Sequence, residues 1–176
     1  SIMRIGHGVD TGAYCAQASC PVPGKSADEL TAELAELGGE LLVSTLPAIA
    51  DGSAVWTEQD ESLVTHAAKI VKAELRLDPA VSVQSNERRV LASSDAAPAR
   101  CIVAGKPVRI MRAAVASHAP CLTGGVCSMS DKRLLLACAD GVLEVTSIKP
   151  DGKREMDAAS FCAGIREETA GWGKLA

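Results

Sequence analysis

A glycine-rich loop near the start of the chain carries the first residues that could do chemistry. It runs Gly6-His7-Gly8-Val9-Asp10-Thr11-Gly12, and its three glycines permit positive φ angles and close approach of the backbone to a neighbour. One carboxylate and one imidazole stand within this loop. The simplest interpretation of Asp10 is a turn residue that accepts hydrogen bonds from the Thr11 and Gly12 amides. His7 is expected to be a solvated loop residue.

Basic side chains in the second part of the chain are the next candidates, because lysine and arginine bind phosphate groups. Residues 1–68 contain two basic and ten acidic residues, a net charge of −8, whereas residues 69–176 contain 16 basic and 12 acidic residues, a net charge of +4. This asymmetry indicates either two differently charged solvated surfaces or a second part that faces a polyanion. The best phosphate-contact candidates are Lys69, Lys72, Arg109, Arg112, Lys149, Lys153 and Arg154. Side chains alternate along a strand, so Arg109 and Arg112, three residues apart, need not share a face.

The cysteines do not form a recognisable framework. There are seven of them, an odd number, and no C-x-x-C pair occurs, so neither a disulfide scaffold nor a common zinc pattern is indicated. Ser117-His118 with Cys121 and Cys127 fits no standard zinc spacing, and no metal is predicted. Reduced thiols favour a cytoplasmic protein.

Length and composition exclude other classes of protein. The 176 residues suffice for one well-buried domain or two small ones without a disulfide or metal. No window of 18 predominantly apolar residues occurs, so no membrane span is predicted. Aromatic residues make up only 2% of the chain, which leaves little for the base-stacking surfaces of single-stranded nucleic-acid binders.

The elements that position the glycine-rich loop are predicted to be two strands and a helix. Residues 1–5 and 14–22 favour strands on either side of the loop. Ser26 and Glu29 form a capping box ahead of leucines at helical spacing. Gly38-Gly39 and Pro47 predict a break or kink, with a second helical stretch over about 40–50. The polar residues 56–72 indicate a linker.

The second part is predicted to be mostly β-structure. A helix is expected over 82–92 and another over 157–164, N-capped by Asp157. Five short β-rich runs with turn signals between them span 100–104, 107–115, 125–129, 133–137 and 142–148. Five strands in about 50 residues favour a small closed, OB-like barrel, because closure removes exposed sheet edges.

Segments spread along the whole chain resemble, in order and spacing, the methionyl-tRNA formyltransferases. In the first part they are Ile2-Met3, Gly8-Val9-Asp10-Thr11-Gly12, Leu34-Ala35-Glu36-Leu37-Gly38, the run 59–67 and Lys69-Ile70-Val71-Lys72. In the second part they are Gly105-Lys106-Pro107-Val108, Gly141-Val142-Leu143 and Gly152-Lys153-Arg154-Glu155-Met156, with Phe161 and Gly164. The second set distinguishes this family from formyltransferases that share only the catalytic domain.

The resemblance implies both a fold and a reaction. It implies an α/β remnant of a Rossmann-like formyltransferase domain over 1–68, followed by an OB-like tRNA-binding domain over 69–176. The reaction would transfer the formyl group of 10-formyltetrahydrofolate to the amino group of methionyl initiator tRNA, without a metal. The family places its catalytic Asp at Asp10, where a carboxylate beside a histidine can fix the tautomer of the imidazole. We expect a monomeric, cytoplasmic protein without membrane contact.

Departures from the family shape the expectation for this chain. The Asn and His partners of the catalytic Asp, and the folate-site signature, precede this region in the family and have no counterpart here. The chain is therefore expected to be a C-terminal fragment that is inactive alone. Pro79 replaces an expected Trp, and the residues 93–100 replace a Pro-Trp-Pro-like stretch, so local packing is expected to change at both places.

Three alternatives stay open at the level of the sequence. The segment Arg4 to Asp10 alone is similar to the opening of the methylerythritol cyclodiphosphate synthases, where Asp and His ligate a metal, but Gly12 stands where that family has a second His. A formyltransferase acting on an amino sugar or another small amine would share the catalytic domain. A stand-alone RNA-binding module in residues 73–176 would require no catalysis.

Overall fold

The computed structural model of the chain describes residues 1–175. The chain divides into two compact units, Ser1–Ala68 and Lys69–Ala176. Among the described residues no helix combines the length and the apolar character needed to cross a lipid bilayer.

The first unit is a two-stranded antiparallel sheet with one long helix. Its elements are β1 (Ile2–Met3), β2 (Tyr14–Ala16), α1 (Ala27–Ala50) and a 3-10 turn (Glu61–Leu63). The capping box of α1 forms as predicted. Ser26 Oγ accepts from the Glu29 amide at 3.3 Å, and a Glu29 carboxylate oxygen accepts from the Ser26 amide at 2.8 Å. Two backbone donors at the helix start are thereby satisfied.

The predicted break at Gly38-Gly39 is wrong, because α1 runs through both glycines without interruption. A glycine in a helix interior costs about 1 kcal/mol relative to alanine, which lowers helix stability without ending the helix. Pro47 lies in the last turn, where the Asp51 amide donates to its carbonyl at 3.0 Å and closes the helix. The strand predicted over 14–22 is shorter than expected and ends at Ala16.

Little apolar surface is buried within the first unit. Among the described residues of this unit only Ala13 is buried, and α1 has no buried residue. Large apolar side chains are exposed along the whole unit, namely Ile5, Val9, Val22, Leu34, Leu42, Val43, Leu46, Val55, Leu63 and Val64. Two antiparallel strands and one helix do not amount to a Rossmann-like sheet, so that part of the fold prediction stays a prediction.

The second unit is built on a closed antiparallel barrel of six strands. In order around the barrel they are β4 (Lys106–Val115), β3 (Arg100–Val103), β9 (Thr169–Gly173), β5 (Val126–Ser128), β6 (Leu134–Ala137) and β7 (Val142–Pro150). The pairing of β7 with β4 closes the ring, and β8 (Met156–Asp157) adds to β7. The predicted small β-barrel is confirmed, and each of the five predicted runs forms a strand.

Two helices accompany the barrel. The first, α2 (Val83–Leu91), packs on β4 and β7 and buries Val83 and Val90 in the core. The second, α3 (Ala158–Ala163), is capped as predicted by Asp157, whose carboxylate accepts from the Ser160 amide at 2.6 Å. That hydrogen bond lowers the pKa of Asp157.

The altered segments of the second unit pack in an orderly way. Ala99 is fully buried, and the turn before it is closed by hydrogen bonds between Ser94 and Ala97 in both directions. Pro79 lies beside Gly125, where a Cβ on the glycine would be 3.9 Å from the Pro79 ring. The altered segments therefore form ordered local structure.

The strand β9 was not predicted, because Gly171 and Gly173 give its sequence low β-propensity. It nevertheless pairs with both β3 and β5. It also carries Trp172, which is only 4% exposed. The Trp172 indole Nε1–H donates to the Ala137 carbonyl at 2.8 Å. One large side chain therefore both fills the core and links β9 to β6.

Replacing Trp172 by Phe removes this hydrogen bond and leaves a small cavity, so we expect the second unit to lose about 1–3 kcal/mol of unfolding free energy. The measurement is urea unfolding followed by far-UV circular dichroism. Trp56→Phe in the first unit is the matched control and should leave the transition of the second unit unchanged. Equal midpoints for Trp172→Phe and the unaltered chain would contradict the assigned core role.

Candidate functional site

The glycine-rich loop is held in a defined backbone conformation. Asp10 lies in the left-handed region with φ 57°, which residues other than glycine adopt infrequently. A Cβ on Gly12 would lie 1.8 Å from the Arg4 carbonyl oxygen, so only glycine fits there. The Arg4 amide donates to the Ala13 carbonyl at 2.9 Å. The loop is thus seated against the end of β1 by its own backbone.

A second contact holds the loop from a distant part of the sequence. Gln59 Nε2 donates to the Asp10 carbonyl at 2.7 Å and to the Gly12 carbonyl at 2.8 Å. Sequence reasoning did not single out Gln59, although it opens the run 59–67 that carries part of the family resemblance. No local pattern connects residues that are 49 and 47 positions apart.

The two ionisable side chains of the loop face solvent. Asp10 and His7 are both exposed. Within residues 1–175 no hydrogen bond or ion pair to the Asp10 carboxylate is formed, and neither the Thr11 nor the Gly12 amide bonds to it. The Asp10 carboxylate is therefore available to a group supplied from outside the loop.

The second candidate region is a line of basic residues on the outside of the barrel. Arg100 on β3 is paired across the sheet with Arg109 on β4, and Arg109 is paired with Lys149 on β7. Arg76 forms a parallel bridge to Arg100. We call Arg76, Arg100, Arg109 and Lys149 the basic row. Neighbouring strands lie about 4.8 Å apart, so the row spans about 14 Å.

The row faces outwards because its neighbours along each strand face inwards. Val108 and Ile110 flank Arg109 and are buried in the core, as are Ile148 and Pro150 on either side of Lys149. Side chains alternate along a strand, so Arg109 and Lys149 lie on the outer surface.

An irregularity in strand pairing adds Arg112 to the same surface. The β4–β7 register shifts between Ile110 and Arg112, so that Arg112 lies opposite Ser147, one position from Ile148. In a regular strand, side chains three residues apart point to opposite faces. The bulge adds one residue to β4 at this point, so the Arg112 side chain points outwards, as that of Arg109 does. Arg109 and Arg112, three residues apart, thus share the outer face.

Ion pairing leaves most of these charges free. Arg100 is paired with the Asp151 carboxylate and is partly covered. Within the described part of the chain, Arg109, Arg112 and Lys149 form no ion pair. Unpaired cations in adjacent positions are a favourable arrangement for binding a phosphate backbone.

The other phosphate-contact candidates lie outside the row. Lys153 and Arg154 are exposed in the turn between β7 and β8, and Lys69 and Lys72 are exposed in the segment that precedes Arg76. Arg76 and Arg100 were missed by sequence reasoning, since only the pairing of strands shows that they align with Arg109.

The cysteines offer no reactive thiol in the barrel interior. Cys101, Cys127, Cys138 and Cys162 are buried and unpaired in disulfides. Burial raises the pKa of all four thiols, which keeps them protonated at neutral pH. In residues 1–175 no group of three or more potential ligands that could hold a metal ion is formed.

Comparison with solved structures places this architecture among known folds. A variant of HypX from Aquifex aeolicus is similar with a TM-score of 0.72 at 21% identity, over 94% of this chain and 30% of that chain. HypX from the same organism in complex with tetrahydrofolic acid has a TM-score of 0.69 at 20% identity, over 90% of this chain and 28% of that chain. At this identity the similarity shows the fold. The chain spans less than a third of the length of these structures.

Comparison with protein families gives a closer relationship. Residues 69–166 match the formyl transferase C-terminal domain. The matched range contains all strands of the barrel except β9, and both helices of the second unit. Because it covers more than half of the sequence, the chain belongs to the formyl transferase C-terminal domain family.

Proposed function

We propose that this chain is part of a methionyl-tRNA formyltransferase, which transfers a formyl group from 10-formyltetrahydrofolate to the amino group of methionyl initiator tRNA. The observation that carries the proposal is the family match over residues 69–166. The ordered segments around Asp10 support a catalytic region ahead of it. The basic row supports a polyanionic acceptor.

The first unit is proposed to belong to a larger catalytic domain. A 24-residue helix without a buried residue and many exposed large apolar side chains do not make a stable core alone. Packing against further polypeptide would bury this surface. That polypeptide would also supply the Asn, the His and the folate pocket that the family resemblance implies.

Asp10 is the residue of this chain that we assign to the chemistry. The amine must lose a proton as it attacks the formyl carbon, and negative charge develops on the formyl oxygen. The bond between the formyl carbon and N10 of the donor then breaks, and N10 takes up a proton. A carboxylate next to a histidine keeps the imidazole in one tautomer and stabilises its charged form, so that it can accept the proton. The Asp10 carboxylate is exposed and has no partner among the residues that the structure describes, which suits this role.

The basic row is proposed to bind the phosphate backbone of the tRNA. Its cations share one outer surface with Arg112. Carboxylates of the described residues do not neutralise Arg109, Arg112 or Lys149. Trp172 is buried and Trp56 is partly buried, so neither offers a fully exposed ring. Recognition through backbone and shape, which folded RNA favours, therefore fits better than base stacking.

The catalytic assignment is tested by Asp10→Asn in a protein that carries a formyltransferase catalytic region ahead of residue 1. We expect formylation of methionyl initiator tRNA to fall by about 10²–10⁴-fold, the usual range for loss of acid-base assistance. Asp28→Asn, in the exposed first turn of α1, is the matched control and should retain activity. Undiminished activity in Asp10→Asn would refute the assignment.

The acceptor is tested in the same assay with a small amine in place of the charged tRNA. The proposal expects formylation only of methionyl-tRNA. Efficient formylation of an amino sugar, without any gain from tRNA, would favour the small-amine alternative. Salt-dependent tRNA binding without formylation of either acceptor would favour the RNA-binding module.

The tRNA surface is tested by the double variant Arg109→Ala with Lys149→Ala. Log affinity for tRNA falls with log salt, and each lost phosphate contact should make this slope shallower by about 1. For the double variant we expect weaker tRNA binding and a slope that is shallower by about 2. Lys132→Ala and Arg166→Ala together remove the same charge from exposed positions outside the row. An equal effect of this control pair would show that only net charge matters.

A further inference from the structure

Gln59 makes a bidentate contact that the proposed chemistry does not yet use. Its side-chain amide carries two N–H bonds, and the structure directs Nε2 to two acceptors, the Asp10 carbonyl at 2.7 Å and the Gly12 carbonyl at 2.8 Å. These carbonyls stand on either side of Thr11. A single side chain therefore bridges the turn that carries the Asp10 carboxylate.

The position of Gln59 is fixed by its own neighbours in the chain. Tyr14 and Thr57 form an isolated antiparallel bridge, in which the Tyr14 amide donates to the Thr57 carbonyl at 3.0 Å and the Thr57 amide donates to the Tyr14 carbonyl at 2.8 Å. Immediately after Gln59, the Asp60 carboxylate accepts from the Ser62 amide at 2.9 Å and begins the 3-10 turn. The Tyr14–Thr57 bridge thus anchors the chain just before Gln59, and an N-capped 3-10 turn follows it.

The opposite side of the turn is also constrained. Gly12 approaches the Arg4 carbonyl so closely that no other residue fits, and the Thr11 side chain occupies the space beside Gly6 and Gly8. Asp10 remains in the left-handed region between these two constraints. Aspartate adopts that conformation more often than most residues with a Cβ, but the conformation still costs free energy, which the contacts around the turn offset.

We propose that Gln59 is a positioning residue for formyl transfer, holding the Asp10–Gly12 turn so that the Asp10 carboxylate keeps one orientation towards the reacting groups. The inference rests on the proposed function, in which Asp10 is catalytic. Gln59 acts on the backbone of the turn and has no contact with the Asp10 carboxylate. Its effect is therefore expected on the rate of the chemical step and not on acceptor binding.

The first test compares Gln59→Met and Gln59→Glu with the unaltered sequence. All three proteins carry a formyltransferase catalytic region ahead of residue 1. Methionine keeps the length of the side chain without a donor, and glutamate keeps its shape while replacing the donor by acceptors. We expect kcat to fall about 10- to 100-fold in both, as small displacements of catalytic groups do, with KM for tRNA unchanged. Gln17→Met is the control, because within residues 1–175 the Gln17 side chain donates to Ser1 Oγ alone, at 3.3 Å.

The second test combines Gln59→Met with Asp10→Asn. If Gln59 acts through Asp10, Gln59→Met should lower kcat less than twofold in the Asp10→Asn background. An equal loss in both backgrounds would overturn the positioning role, because Gln59 would then act independently of Asp10. Loss of activity in Asp10→Asn with full activity in Gln59→Met would overturn the positioning role alone. Full activity in Asp10→Asn would overturn the catalytic assignment and the positioning role together.

A spectroscopic measurement on the same protein, which carries a catalytic region ahead of residue 1, separates positioning from unfolding. In ¹⁵N-labelled protein, Gln59→Met should shift the amide signals of residues 10–13 and leave those of the barrel strands in place. Gln17→Met should leave residues 10–13 unshifted. Unshifted loop signals in Gln59→Met, or collapse of the whole spectrum in both Gln59 variants, would overturn the proposal.

Discussion

The pairing of β4 with β7 is the interaction on which the second unit depends. These are the two longest strands, and their antiparallel ladder runs from Val108 opposite Pro150 to Val115 opposite Leu143. Without it the six strands would form an open sheet with two exposed edges, which invites association with other chains. With it, alternate residues along β3, β4 and β7 are buried in one core, and the residues between them lie on the outside of the barrel. The basic row exists because this closure brings Arg109 and Lys149 side by side.

Different interactions hold the candidate functional residues in place in the two units. In the second unit a buried core, including Leu77, Ile110, Leu136 and Trp172, holds the strands and so sets the spacing of the outer cations. In the first unit hardly anything is buried, and the geometry of the Asp10 turn comes from backbone contacts, with Gly12 against Arg4 and Gln59 across the turn. Hydrogen bonds position groups without contributing much net stability. Such a loop has a defined backbone conformation although the unit around it buries little apolar surface.

Local signals in the sequence predicted much of the fold, and non-local contacts account for what was missed. The Ser26 and Asp157 caps and the five β-rich runs follow from side-chain chemistry and periodicity within a few residues, and the structure contains them all. Gly38-Gly39 weakens α1 without breaking it, because propensity is a small energy against a continuous helix. The strand β9 forms despite its glycines, since β3 and β5 offer it edges on both sides. The shared face of Arg109 and Arg112 depends on a bulge, and the contact of Gln59 with the turn depends on tertiary structure, so neither has a local signature.

The central claim is that the outer surface formed by β3, β4 and β7 faces the phosphate backbone of the acceptor. The most direct measurement is a titration of ¹⁵N-labelled chain with initiator tRNA, following the amide signals residue by residue at low and moderate salt. The account predicts that the largest shifts fall on Arg100, Arg109, Arg112 and Lys149 and their strand neighbours, weaken as salt rises, and spare the region around Lys132 and α3. Shifts centred on α3 or spread evenly over the barrel, or no shifts at low salt, would contradict it.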